Sequence, residues 1–258
     1  MVPGQTAKIC IVGGGGRMGR RVIEASELAP DVSLESILVA DVNDAHGISN
    51  CRIETDPDIA FNGTDAVIDF SAPPSLERTL PAAMRNRTAY VLASTGLPQD
   101  CQELLDEAAA KIPLIVASNC SLGVNVLESL VKTAARALGG FDIEIFELHH
   151  NQKRDAPSGT ALTLADAVTS VRPLEVTTAR TGNRALRDSD SLGVIAGRGG
   201  DVAGEHTVFY FGNGERLELT HRATSPMIFA DGALRAAKWL VERAPGAYTM
   251  ADVLGLET

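Results

Sequence analysis

ICIVGGGGRMGRRVIEA, residues 9–25, sets a short apolar run, four consecutive glycines and an amphipathic segment one after another. The apolar run is too short for a helix, and the segment after the glycines carries apolar residues at helical spacing. The stretch therefore reads as strand, tight turn and helix. Gly13, Gly15, Gly16 and Gly19 permit a sharp turn and the close approach of a pyrophosphate to the backbone, while the helix start offers unpaired N–H groups and a partial positive charge. The register stays open, because Gly14, Gly16 and Gly19 fit the GxGxxG spacing as well. A glycine turn that only packs strand against helix is the bland alternative. Context favours a dinucleotide site: a second apolar strand, ILVA (37–40), follows the helix and ends in Asp41.

The same alternation continues outward. Ser33–Val39, Ala66–Phe70, Ala89–Ala93 and Leu114–Ala117 are short apolar runs without strict alternation, as strands covered on both faces are. Arg17–Leu28, Ser75–Arg87 and Cys101–Lys111 have helical period. Strand and helix in turn predict an α/β fold with a Rossmann-type, doubly wound parallel sheet. After Asn119 the pattern changes. A helix over Gly123–Leu138, the alternating FDIEIFELHH (141–150) and a helix over Ser158–Val171 precede four candidate strands: Glu175–Ala179, Leu192–Ala196, Thr207–Phe211 and Leu217–Thr220. This predicts a second, α+β domain with an open mixed sheet. The last helix is expected over Pro226–Val241.

The chain has 258 residues, is 45% hydrophobic and 22% charged, and carries a formal net charge of −10. That balance builds a globular core and argues against nucleic acid or an anionic membrane as partner. Cys10, Cys51, Cys101 and Cys120 are scattered without metal-ligand spacing, so reduced thiols and no metal site are expected. The polar opening MVPGQTAK lacks the layout of a signal peptide, and no apolar run is long enough to span a bilayer. A cytoplasmic location is expected.

Ligands of open α/β sheets bind beyond the carboxyl ends of the strands, where this chain places DFSAPPS (69–75), ASTG (93–96) and ASNCSLG (117–123). Small side chains there let a nicotinamide dinucleotide lie on the backbone. Asp41 is placed to accept from an adenosine ribose, although an exposed Asp ending a strand is the plain alternative. No Lys or Arg occurs between Arg21 and Arg52, so only Arg17, Arg20 and Arg21 would meet a 2′-phosphate. NADH is favoured on that ground, and NADPH is not excluded.

HHNQKRDAPSGTA (149–161) is the densest cluster of chemistry in the chain. A hydride added to a C=N or a conjugated C=C leaves a negative centre that needs a proton. His149 and Lys153 are the natural suppliers. Ser158 caps the following helix, and the N–H groups of Gly159 and Thr160 make a carboxylate cradle with His150 and Lys153 beside it. Each feature alone reads as structural; together they describe a site for a small, acidic, unsaturated substrate. A metal held by His149 and His150 with His206 or His221 lacks the usual ligand spacing.

The motifs GGGGRMG (13–19), VIDFSAPPS (67–75), STG (94–96), SNCSLGVN (118–125), ELHHNQKRDAPSGTA (147–161), GRGGDVAGEHTVFY (197–210) and ERLELTHRATSPMIFADGALRAAKWL (215–240) together resemble the 4-hydroxy-tetrahydrodipicolinate (dihydrodipicolinate) reductase family of the diaminopimelate route to lysine. The resemblance implies His149 as proton donor and acceptor, Lys153 as second donor, and His150, Ser158, Gly159 and Thr160 around the carboxylates of a cyclic imine. It implies NADH or NADPH on Gly13, Gly14, Gly15, Gly16, Arg17, Met18, Asp41, Ala93, Ser94, Thr95, Ala117, Ser118, Asn119 and Cys120. It also implies a homotetramer built by the second domain, and a dinucleotide domain over 1–121 completed by 223–258 around a substrate domain over 122–222. Four positions depart from the family pattern: Ala93 and Ser94 for the first glycine and threonine of Gly-Thr-Thr-Gly, Cys120 for an aromatic, and Ala72 for arginine. They touch cofactor contacts and leave the acid cluster intact. Two competing readings remain, a reductase of another small cyclic imine carboxylate and a silent nucleotide-binding protein; the second would be expected to lack His149 or Lys153.

Overall fold

The computed structural model describes residues 6–256 apart from Thr95 and Arg184. The chain divides into two compact units, 1–122 with 227–255, and 123–226 with 256–258. The first unit holds β1 (Ala7–Val12), α1 (Arg17–Glu27), β2 (Val32–Leu38), β3 (Arg52–Glu54), α2 (Pro57–Phe61), β4 (Ala66–Asp69), α3 (Leu76–Asn86), β5 (Ala89–Leu92), α4 (Gln102–Ala109) and β6 (Pro113–Val116). Most of α5 (Leu122–Ala137) belongs to the second unit, with β7 (Asp142–His149), α6 (Gly159–Thr169), β8 (Glu175–Thr177), β9 (Ser191–Arg198), β10 (Gly204–Phe211) and β11 (Arg216–Ala223). The chain then returns to the first unit with α7 (Met227–Leu240), β12 (Gly246–Tyr248) and α8 (Met250–Leu254).

The first sheet has the order β12-β6-β5-β4-β1-β2-β3 with every pairing parallel. This is the doubly wound α/β arrangement expected from the alternation of apolar runs and helices. Ile9 and Ile11 of β1 enter a core with Val22, Ala233 and Ala237 of α1 and α7. Cys10 and Val12 enter the opposite core with Phe61, Leu80 and Leu105 of α2, α3 and α4. Both faces are covered, which is why these strands are apolar throughout. Each fully buried Ile or Leu contributes about 1.5–3 kcal/mol relative to exposure.

The glycine loop after β1 shows which glycines are irreplaceable. Gly13 turns at φ +75°, a conformation that side chains oppose. At Gly19, a Cβ would run into the Gly13 carbonyl oxygen and stand 2.6 Å from the Gly14 Cα, both backbone atoms. Gly19→Ala is therefore expected to destabilise the fold by about 1–3 kcal/mol and to displace the loop. A thermal melt superimposable on the parent, with unchanged dinucleotide affinity, would refute this.

The second sheet is mixed, in the order β11-β10-β7-β9-β8. β10 runs antiparallel to β7 and β11, whereas β9 runs parallel to β7 and β8. Its core joins Ile143, Ile145, Val194, Val208 and Tyr210 to Leu127 and Val131 of α5 and Leu164 and Val168 of α6. On the other face, Phe146 and Leu148 are 44% and 48% exposed, and the Phe146 ring meets Phe209 edge-on at 5.3 Å.

Candidate active site

In the first unit, β1 and β4 are neighbours at the point where the strand order reverses, and a crevice opens beyond their carboxyl ends. A cavity of about 530 Å³ runs from Gly13, Gly15 and Gly16 to Val39, Ala40, Asp44, Thr55 and Arg78. A second, of about 470 Å³, is lined by Met18, Ala93, Ser94, Ser118, Asn119, Cys120 and Phe229. Phe70, Ser71 and Ala72 line both. Gly16 caps α1 without any side-chain hydrogen bond, so the first-turn amides keep their capacity for an anion. That donor set fits a pyrophosphate.

Other expected cofactor residues sit elsewhere. Gly14 and Ala117 are buried, with Gly14 packed on Ile37. Arg17 is exposed and lines neither cavity. Asp41 lines neither cavity, and its Oδ1 accepts from the Asn43 backbone and side-chain nitrogens, both at 2.8 Å, capping a short helical turn. β2 ends at Leu38, short of the expected strand end. Arg20 donates to the carbonyls of Gly15 at 3.0 Å and of Asp44 and His46 at 3.1 Å, which ties the loop together. Thr95 lies outside the described residues.

A buried network lies under the crevice. Asp69, at the end of β4, accepts from the Ser71 backbone at 2.7 Å, from the Ser71 hydroxyl at 2.5 Å and from the Tyr90 hydroxyl at 2.5 Å. Burial raises the Asp69 pKa above the usual carboxylate value, and these three donors oppose it. Ser94 donates to the Ser71 carbonyl at 2.5 Å, so the two strand-end turns are fastened to each other.

In the second unit, β7 delivers His149 at its last position and the loop to α6 carries the rest of the cluster. His149 is buried, and its Nδ1 faces the Glu147 carboxylate. Arg198 donates to both Glu147 oxygens at 2.8 and 2.9 Å, and the Ser158 backbone N–H donates to Glu147 Oε1 at 3.0 Å. Burial lowers the His149 pKa below the ordinary imidazole value, against the pull of Glu147. Burial also raises Glu147, but the Arg198, His149 and Ser158 hydrogen bonds outweigh it and leave its pKa below the usual range. His206 stands 5.1 Å ring to ring from His149, and burial, with the nearby His149, lowers its pKa to about 4. It is neutral at pH 7.

Ser158 is buried, and its Oγ caps α6 by accepting from Ala161 N at 3.2 Å while pairing with His206 Nε2 at 3.0 Å. Gly159 is exposed with open space where a Cβ would stand, and Thr160 follows in the first turn. Lys153 Nζ pairs with Asp155 at 2.9 Å, and His150 Nδ1 accepts from Gln152 N at 3.2 Å. A basic, partly wet loop thus stands beside the first turn of α6 and a buried acid. Among the described residues, no group of three or more His, Cys, Asp or Glu is placed to hold a metal ion.

The description "Dihydrodipicolinate reductase, N-terminus" matches residues 7–120, and "Dihydrodipicolinate reductase, C-terminus" matches residues 123–254. The chain belongs to the dihydrodipicolinate reductase family. It is 42% identical over 251 residues to the 4-hydroxy-tetrahydrodipicolinate reductase of Sulfurimonas denitrificans, covering 96% of this chain and 98% of that one. It is 44% identical over 266 residues to the enzyme of the same name from Alkalilimnicola ehrlichii, covering 97% and 100%. Among solved structures, a dipicolinate-bound dihydrodipicolinate reductase from Paenisporosarcina sp. TG-14 superposes with a TM-score of 0.82 at 20% identity, covering 96% and 99%.

For a dihydrodipicolinate reductase, sequence reasoning names candidate residues that line the cavities and the His149 cluster, and it does not name several of their neighbours. Arg78 lines the first cavity but stands in a helix without a motif of its own, and Phe229 lines the second from within the 215–240 motif, to which no cofactor role was assigned. In the sequence, Glu147 is one more acid in an alternating strand. The two-residue period of β7 puts it on the face of His149, and the pairing of β7 with β9 brings Arg198 alongside.

Proposed function

We propose that this dihydrodipicolinate reductase family member reduces 4-hydroxy-tetrahydrodipicolinate to tetrahydrodipicolinate with NADH or NADPH, the first unit binding the dinucleotide and the second the substrate. The observation that carries the reading is the His149–Glu147–Arg198 arrangement beside the exposed Gly159 at the start of α6, in a chain matched by both family models. When bound, the dinucleotide supplies a hydride. This chain supplies the rest. The α6 N-terminus, His150 and Lys153 hold the two carboxylates, and His149 delivers the proton with Lys153 as a second donor. Hydride and proton are added, and the 4-hydroxyl leaves as water. A coupled assay that generates 4-hydroxy-tetrahydrodipicolinate enzymatically and follows NADH and NADPH oxidation separately tests this directly; no dinucleotide oxidation by pure, folded protein would refute it.

The cofactor reading is NADH used at least as well as NADPH. Asp41 stands at the strand-end turn and Asp44 lines the cavity, while Arg20 is committed to backbone carbonyls. Arg78, on the cavity wall, is a cation the sequence did not single out and keeps NADPH usable. Like charge at such an exposed edge costs on the order of 1 kcal/mol, or several-fold in affinity. Asp41 caps its own turn and does not line the cavity, so Asp41→Ala removes one negative charge from that edge and should spare or improve NADPH binding. A clear NADPH preference that survives this substitution would show the carboxylate to be irrelevant.

The apolar outer face of the second sheet, with Phe146, Leu148, Phe209 and Phe211, supports assembly into a homotetramer. A solution mass of one chain would exclude it.

A further inference from the structure

Apart from Arg198, the stretch GRGGDVAGEHTVFY (197–210) has no role in the reading above, yet three of its residues converge on His149. Across the β7–β9 pairing Arg198 is the residue opposite His149, and across β7–β10 His206 is opposite Glu147. The Glu147 side chain is fully buried, with both oxygens engaged by the Arg198 fork. A guanidinium fork matches an ionised carboxylate, and an ionised carboxylate can only accept hydrogen bonds. The nitrogen facing it, His149 Nδ1, must therefore carry a proton. The other nitrogen, Nε2, lies where a Cβ on Gly204 would come within 3.0 Å, so the glycine leaves it uncovered.

We propose that Glu147, held by Arg198, is a positioning residue that keeps His149 protonated on Nδ1 and makes Nε2 the atom that gives up the catalytic proton. This rests on the assignment of His149 as proton donor. The charged or titratable groups facing the ring are Glu147 on its own strand, Lys153 in the following loop, Arg198 on β9 and His206 on β10. Lys153 and Arg198 oppose an imidazolium and His206 is neutral. Glu147 alone of the four favours it.

The test uses full-length protein labelled with 15N-histidine, in the parent and in Glu147→Gln. In the parent, neutral His149 is expected in the Nδ1–H tautomer. A glutamine can turn its amide to donate to Nδ1, so the variant should move toward the Nε2–H tautomer. Loss of the carboxylate should also lower the His149 pKa by about one unit or more. The basic limb of the kcat/KM profile should move to lower pH by the same amount, with dinucleotide affinity unchanged. A purely structural role would lower the melting temperature and leave the tautomer and that limb in place. Should Glu147→Gln not fold, Arg198→Lys keeps a cation on Glu147 without the fork and is expected to hold His149 in the Nδ1–H tautomer; a move to Nε2–H there would overturn the proposal. An Nε2–H tautomer in the parent, or an unchanged His149 titration in a folded variant, would overturn the proposal. A shifted titration with an unmoved rate limb would show that His149 is not the acid, which overturns the role assigned to Glu147 in proton transfer along with it.

Discussion

His149→Gln is expected to lower kcat by roughly 10²–10⁴-fold, the usual worth of a positioned general acid. The hydride step leaves a negative centre, and without a donor that charge must wait for water. His149 is buried at the end of β7 with Nδ1 turned to Glu147, so the substitution removes a donor already oriented by its surroundings. Glutamine keeps a group able to donate to Glu147, so the carboxylate is not stranded and the fold should hold. Dinucleotide affinity should barely change, since the glycine loop belongs to the first unit and His149 to the second. Steady-state kinetics with a dinucleotide titration and a thermal melt check all three parts. Near-normal turnover in a folded variant would remove His149 from the mechanism.

Lys153→Ala is expected to cost about 10²-fold in kcat/KM, with KM for the dicarboxylate raised and kcat lowered together. A hydrogen bond to a charged group is worth about 1.5–3 kcal/mol, and the same ammonium is assigned part of the proton supply. In the structure Lys153 pairs with Asp155, whose side chain is 58% exposed, so that pairing is weak and easily exchanged for a substrate carboxylate. Asp155→Asn is the useful contrast, because it removes the competitor while leaving Lys153 in place. It should keep KM the same or lower it. If Lys153→Ala retained both constants, the lysine would be a solvated loop residue without a part in the reaction.

The glycine loop, the first sheet and the acid cluster are legible in the sequence because local signals announce them. Buried parallel strands are apolar on both sides, and helices between them repeat at their own period. The pieces that escape such reading are short. β3, β12 and α8 are three, three and five residues long, too few for any period to show. Asp41 illustrates a different limit. Its place near the end of a strand is visible, but a carboxylate followed by Asn43 can serve its own turn instead of facing the cavity. Ser158 is similar: the cap follows from residue type and position, whereas its burial against His206 and Glu147 depends on residues far away in the chain.

By itself the sequence determined the fold class, the family and the short segments of the candidate site, since each is written in contiguous residues whose period, turn chemistry and spacing are local properties. Which groups stand against which was decided by tertiary structure. Arg198 and His206 lie about fifty residues beyond His149, and only the register of β9 and β10 against β7 brings a guanidinium and a second imidazole to the buried Glu147. Arg78 likewise reaches the cavity wall only because α3 begins just after β4 at the reversal of strand order. A carboxylate's charge, a histidine's tautomer and a cation's access to a ligand are set by neighbours and by exclusion of water. None of these is a property of the segment that carries the residue.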